Sequence, residues 1–409
     1  NGEPVNDAIY FRNLAVEDRL GIDLEFTSTP GNGSNIANWV AHVRNDITSG
    51  VRSFDLMAAY SLSMASTASN GLCYNLLDPD CIYLNFDMPW WPDRLITEAT
   101  INDKLYFCSG DISANALYMM YVCYVNNKIV EDRGLPNVFE LVDNNQWTYT
   151  KFIEMCAGIY QDKNGNGIKD VGDQFGYMTA STYMDSWFCG SGALIVDKDE
   201  NGNLRMSPSF GGEKIIKTLE MLCHLCHDTN DGMVTSEVNH QKEFNNGNLL
   251  FTTDRARISF TRLTSEDLDF SIVPFCKFDE TQESFVTVMG NPFTLYGIPV
   301  NAKDEDLPML SAILEVYASE SYRRVTPAVY EITLKTKYVH NENSARMYDI
   351  VREGITFDLG RIFSNELIGQ NAFRNAVLNN TAGAWASLIK SYERVMPAKL
   401  EKLISAYEG

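Results

Sequence analysis

Oxygen-bearing side chains recur at the first, third, fifth, ninth and twelfth places of one twelve-residue stretch: Asp162, Asn164, Asn166, Asp170 and Asp173. Gly167 stands sixth, where a cation loop turns sharply, and Ile168 offers its backbone carbonyl seventh. Hard cations take oxygen ligands at this spacing, so the stretch reads as a single structural calcium site, with a plain run of Asx-Gly turns as the alternative. Asp173 occupies the place where a glutamate gives a bidentate contact, and its shorter arm points to a weak affinity of roughly 10⁻⁴ to 10⁻³ M. A second stretch, Asp197–Asn203, starts alike but lacks an acid at its twelfth place, so a paired sensor is not expected.

Cys223, Cys226 and His227 match the spacing of a c-type haem attachment. Both thiols fall on the side of a helix marked by Ile215, Leu219 and Leu222, where buried cysteines are ordinary, and no haem is expected. With five histidines and no HExxH, GxSxG or phosphate-cradling glycine loop, the chain carries no catalytic template, although a glycosidase needs only two well-placed carboxylates. Aromatic residues are the stronger theme. Tyr60, Trp90, Trp91 and Trp187 lie in loop-like surroundings near glycine or proline, and aromatic faces stack on the C–H faces of sugar rings while carboxylates and amides take the hydroxyls. The alternative for each tryptophan is a place in the core.

The elements that must position these groups come from a chain of 409 residues, long enough for two lobes with separate cores. Its net charge of −21 argues against a basic face for nucleic acid or anionic lipid. No apolar run reaches the length needed to span a bilayer, and the first residues lack the basic and apolar regions of a signal peptide. The nine cysteines are an odd number, with Cys73 and Cys81 placed either as a disulfide or as two buried thiols.

Val5, Ala8, Ile9, Val16 and Leu20 make a helical stripe ending at Gly21, and Ile22, Leu24 and Phe26 then alternate as in a strand. A second stripe runs through Ile36, Val40, Val43 and Ile47 to Gly50, followed by a strand-like run over 53–59. Further strands are expected over 118–126, 249–253, 256–260, 270–273 and 293–300, and helices over 148–159, 212–227, 307–322, 344–353 and 384–407, the last holding Pro397. Interleaved helices and strands predict an α/β chain with a ligand crevice at the carboxyl ends of the strands.

The order of several segments resembles the extracellular solute-binding proteins of carbohydrate ABC transporters, the maltose-binding-protein-like class of Gram-positive gut bacteria. Tyr124-Val-Asn-Asn-Lys128, Leu135-Pro136 and Gln146-Trp-Thr148 are similar to the family's stretch after its first crossover. Trp187-Phe-Cys-Gly-Ser-Gly-Ala193 resembles its ligand-lobe aromatic with small residues after it, and Phe244-Asn-Asn-Gly-Asn248 its segment before a crevice strand. Asp162 to Asp173 with Phe175-Gly176, Phe86 to Trp91, Ser321 to Lys337 and Gly354 to Gly360 are similar too, so the resemblance covers nearly the whole chain.

The resemblance implies a two-lobed periplasmic-binding-protein-like fold with a hinge, lobe 1 taking 1–118 and about 290–325, lobe 2 taking 119–289 and most of 326–409. It implies a carbohydrate ligand in the interlobe cleft, held by Tyr60, Trp90, Trp91 and Asp111 from one lobe and Trp187 and Arg257 from the other. ABC permease subunits are the implied partners and the chain is expected to be a monomer. The implied location is the cell surface, with a lipid anchor and a first strand ahead of Asn1.

Overall fold

The computed structural model describes residues 4–335 and 342–408. Among these, the strands in chain order are β1 (Met57–Tyr60), β2 (Tyr121–Asn126), β3 (Phe175–Thr179), β4 (Val196–Lys198), β5 (Leu204–Met206) and β6 (Gly232–Val234). They continue with β7 (Leu249–Arg255), β8 (Phe270–Val273), β9 (Thr287–Val288), β10 (Thr294–Gly297) and β11 (Ile355–Thr356). The end of the Ser321 to Lys337 stretch lies outside the described residues.

Five strands in the order β6-β3-β7-β2-β8 form the sheet of the second lobe. β3 runs parallel to β6 and β7, whereas β2 is antiparallel to β7 and β8. β2 is an aromatic and β-branched run in which every residue is buried, as a strand covered on both faces requires. β7 is buried throughout as well: Thr252 Oγ1 donates to the Met178 carbonyl, and Asp254 is bonded to His240 Nε2 and Gln241. The helix Tyr149–Cys156 starts at Thr148, whose hydroxyl accepts from the Lys151 N–H, and it presses Tyr149 and Phe152 onto the sheet.

In the first lobe β1 pairs antiparallel with β10, setting Tyr60 opposite Thr294. The helices α1 (Pro4–Leu20), α2 (Ile36–Ser49) and α3 (Ser61–Ser69) belong here, with Leu307–Glu320 packed on α1. Thr326–Lys335 also lies on α1, whereas Glu342–Glu353 lies on β8 and Gln370–Leu378 on the helix Glu213–Cys223. Of these C-terminal helices, Thr326–Lys335 therefore packs on the first lobe, and Glu342–Glu353 and Gln370–Leu378 on the second.

The two lobes meet where the chain crosses between them. Met120 bridges Met289, and the Gly290 N–H donates to the Met119 carbonyl. A Cβ at Gly290 would stand 2.9 Å from the Tyr121 ring, so the close approach needs glycine. Phe293 packs on Phe357 and Phe107 on Phe363, an apolar seam under the crossing.

Two local expectations change. Residues 22–30 form no strand: they have no neighbour to pair with, Leu24 N–H is tied to Glu17, and Phe26 is exposed. The run over 256–260 becomes the short helix Ile258–Thr261, because the N–H groups of Ala256 and Arg257 turn to the carbonyls of Met120 and Tyr118 and end the strand. Cys73 and Cys81 are buried free thiols, like the other cysteines. Pro397 sits inside the helix Trp385–Ser405 without ending it. Cys226 is buried, and His227 Nε2 lies 2.7 Å from the Val377 carbonyl oxygen, which commits both residues to packing.

Candidate ligand-binding cleft

The parallel strands β3, β6 and β7 end on the same side of their sheet, and each delivers polar side chains there. Tyr183 and Asp185 follow β3, Glu237 follows β6, and Arg255 closes β7. The antiparallel β2 begins at this edge with Tyr121. In open α/β sheets the carboxyl ends of the strands line the ligand crevice.

Arg255 Nη2 donates to Glu237 Oε1 at 2.6 Å and also to the Tyr183 hydroxyl, whose ring lies 5.4 Å from that of Tyr121. Beside them Asp185 is buried and shared by two arginines. Arg374 Nε donates to Oδ1 at 2.7 Å, and Arg361 Nη1 lies 2.8 Å from Oδ2. Arg361 Nη2 reaches the crossing strands through the Met289 carbonyl and Asn291 Oδ1. Burial alone would raise the Asp185 carboxyl, but Arg361 and Arg374 outweigh it and hold the group below its ordinary value.

The first lobe faces this cluster with Tyr60, half-buried at the end of β1, and with the turn Gly31–Ser34 beside its ring. Burial raises the Tyr60 phenol, and the charges of Arg374 and Arg361 act against that rise across the lobe boundary. Burial also raises the Tyr121 phenol. The charged groups that act on it most are Asp185, Arg361, Arg374 and Arg255. The arrangement offers hydroxyl, guanidinium and carboxylate groups at one floor, suited to holding a polar solute and fixing its orientation.

Of the six ligand-binding residues expected from the sequence, Tyr60 is the one on which the charges of this cluster act. Trp187 is fully buried, its ring 4.8 Å from Tyr149 and 5.4 Å from Phe152, and its Nε1 donates to the Tyr177 hydroxyl. Both its faces serve the core of the second lobe, so it is no stacking platform. Trp90 and Trp91 donate to the two oxygens of Glu315, each at 3.0 Å, and fasten a loop to the helix Leu307–Glu320. Asp111 is buried and accepts from Arg352 at 3.0 Å and from Thr326, joining the two lobes near the crossing instead of facing a ligand. Arg257 is half-buried beside the crossing, where its N–H donates to the Tyr118 carbonyl.

The candidate residues Tyr121, Asp185, Arg255, Arg361 and Arg374 were not expected from the sequence, and the strand-end rule points only to two of them. Arg255 ends the β7 run and Tyr121 begins the β2 run. Nothing local ties Arg361 or Arg374 to Asp185.

The loop over 162–173 is closed at its neck by a bridge between Gln161 and Gln174. Asp162 accepts from the N–H groups of Gly165 and Gly167, and Asp173 from those of Lys163 and Asp170. The side-chain amides of Asn164 and Asn166 both donate to Asp170, and Ile168 is exposed. Among the described residues no three His, Cys, Asp or Glu side chains converge as a metal-ligand cluster. The loop enters β3 at its amino end, while Tyr183 and Asp185 lie beyond its carboxyl end. About 15 Å of strand, at about 3.3 Å per residue, therefore separates the loop from the cleft.

No helix among the described residues is long and apolar enough to cross a membrane. No family model matches the sequence, and no curated protein matches it either. Solved structures do. UgpB from Mycobacterium tuberculosis, in complex with glycerophosphocholine, is 14% identical with a TM-score of 0.62, covering 99% of this chain and 98% of its own. A cyclo/maltodextrin-binding protein complexed with maltotetraose is 11% identical with a TM-score of 0.59 over 98% of this chain and 94% of its own. An ABC substrate-binding protein from Listeria monocytogenes, in complex with cycloalternan, is 10% identical with a TM-score of 0.56 over 99% and 97%. End to end, the chain has the α/β, two-lobed fold of these substrate-binding proteins.

Proposed function

We propose that this chain binds a sugar or oligosaccharide between its lobes outside the cell and delivers it to an ABC importer. One observation carries the proposal: a chain with the fold of solute-binding proteins sets Tyr60 at the end of β1 in one lobe and Asp185, Arg255 and Arg374 at or beyond the carboxyl ends of the strands in the other. A solute that touches both sides favours the closed arrangement by its differential affinity for it, and permease subunits would read that closure. No bond is made or broken. Isothermal titration against a panel of oligosaccharides tests the proposal: saturable binding supports it, and release of reducing ends during the titration would move the chain among carbohydrate-active enzymes.

We propose also that the loop over 162–173 takes one calcium ion, held by Asp162, Asn164, Asn166, Ile168, Asp170 and Asp173. The ligand atoms are all oxygen, and the carboxylates of Asp162, Asp170 and Asp173 lie within one loop with only neutral amide donors on Asp170, a charge a hard cation would balance. Such an ion would order the connection between the helix Tyr149–Cys156 and β3, with no part in solute contact. An extracellular setting, in which calcium is abundant, suits both proposals.

A further inference from the structure

The helix Glu237–Asn245 presents one face of its first two turns to the end of β7. Glu237, His240 and Gln241 share that face at i, i+3 and i+4, and all three bond to the last two residues of the strand. Glu237 Oε1 accepts from Arg255 Nη2 at 2.6 Å, whereas His240 Nε2 lies 2.9 Å and Gln241 Nε2 2.7 Å from Asp254 Oδ2. His240 and Asp254 have no exposed side-chain surface. A carboxylate accepts, so Nε2 carries the imidazole hydrogen, and Nδ1 is buried without a partner.

Arg255 stands between two carboxylates. Glu237 is 46% exposed and screened by water, whereas Asp254 is fully buried, so at equal distance Asp254 attracts the guanidinium more strongly. Asp254 Oδ1 nevertheless stays 3.6 Å from Arg255 Nε, too far for a hydrogen bond, and Nε has no other partner. Other donors hold the carboxylate back: Oδ1 takes the Arg255 backbone N–H at 2.6 Å, and Oδ2 takes His240 and Gln241. The guanidinium is left to direct Nη2 at Glu237 and at the Tyr183 hydroxyl. His240 braces that second partner too, its ring edge-on to Tyr183 at 4.9 Å. One imidazole thus fixes both the buried countercharge of Arg255 and the phenol that receives its Nη2.

We infer that His240 and Asp254 are positioning residues of the solute site, which set the direction of the Arg255 guanidinium without touching solute themselves, an inference that rests on the solute-binding role proposed above. With the His240 donor removed, Asp254 Oδ2 keeps Gln241 alone, the carboxylate turns toward Arg255 Nε, and the guanidinium leaves Glu237 and Tyr183. The solute then meets a donor that must be drawn back into place, so affinity falls although no direct contact has been cut.

A double-mutant cycle tests the inference, read by calorimetric titration with maltotetraose, raffinose, cellotetraose and xylotetraose, the tightest-binding of which serves as the probe. His240→Phe keeps a ring against Tyr183 and removes the donor, and its affinity should fall about 3- to 10-fold, the value of one hydrogen bond. In an Arg255→Lys chain, where the guanidinium is gone, the same change should alter affinity by less than about 2-fold, the margin of such cycles. His240→Gln, whose amide supplies the donor again, should recover most of the loss. Equal losses in both backgrounds would show that His240 acts through the lobe at large and would overturn the inference, as would unchanged affinity in His240→Phe; either result leaves the proposed function standing. If His240→Phe fails to fold, Gln241→Met, which removes the other donor to the same oxygen, takes its place in the cycle. Absence of binding of every sugar by the wild-type chain would overturn the proposed function and this inference together.

Discussion

Arg374 and Asp185 form a two-pronged ion pair, with Nε 2.7 Å from Oδ1 and Nη2 2.5 Å from Oδ2, and Arg361 Nη1 lies 2.8 Å from the same Oδ2. Removing the carboxylate leaves two buried guanidiniums facing each other. Asp185→Asn is therefore expected to lower the unfolding free energy by about 3–5 kcal/mol, the usual result of breaking a buried pair. The urea midpoint reports it, at unchanged slope. A loss below about 1 kcal/mol would show that water reaches this pair and screens it.

Trp187 and Tyr60 are expected to part company under mutation. Trp187→Ala empties a fully buried site among Tyr149, Phe152 and Phe275 and should cost about 3–5 kcal/mol of stability. Tyr60→Phe removes a hydroxyl from a half-buried position and should change stability by no more than about 0.5 kcal/mol. Its solute affinity should fall about 3- to 10-fold, the value of one hydrogen bond. Weakened binding in a stable Trp187→Ala protein, with none in Tyr60→Phe, would reverse the two roles.

Calcium removal should act on stability alone. At a hundredfold excess over its dissociation constant a native-state ligand adds about 2.7 kcal/mol, so a chelator should lower Tm by several degrees while solute affinity at low temperature stays constant. The separation between loop and cleft along β3 is the reason. An unchanged Tm would remove the ion from the account, and lost solute binding in a folded, chelated protein would move the ion into the site.

Asp358 should give the protein a pH dependence of unusual sign. It caps the helix Leu359–Ile362 and accepts from the N–H groups of Ile195, Val196 and Gly360, yet burial pushes its carboxyl up to about 6 against those bonds and Arg361. Between its ordinary value of 3.8 and about 6 the folded state keeps a proton that the unfolded chain has released. Stability from this group is therefore present below that window and lost as pH rises through it, by on the order of 3 kcal/mol. Urea titrations at pH 4 and pH 7 should show a larger fall for the wild type than for Asp358→Asn. Equal falls would place the proton elsewhere.

Elements whose pattern is set by their immediate neighbours were legible in the sequence. β2 stands out as an aromatic, β-branched run, and Thr148 marks a helix start because its own hydroxyl caps it. The site was less legible, for a physical reason. Trp187 lies near small residues, a loop-like context, but it belongs to the helix Asp185–Gly190 and to the core. Nearness to glycine or proline does not tell a wall of the cleft from a plug behind it. The Asp185 cluster joins residues more than 170 positions apart, and only the packing of Gln370–Leu378 against the second lobe brings Arg374 to it. The alternation of Ile22, Leu24 and Phe26 failed for the same reason: a strand needs a partner, and none lies alongside.

Solute affinity at the cleft floor is the most direct measurement. Calorimetric titration of the oligosaccharide panel should give saturable binding to the wild-type chain. In Tyr60→Phe and in Arg255→Lys, two conservative changes on opposite lobes, that affinity should fall about 3- to 10-fold each while both proteins stay folded. Wild-type affinity in both variants would contradict the placement of the solute between Tyr60 and Arg255.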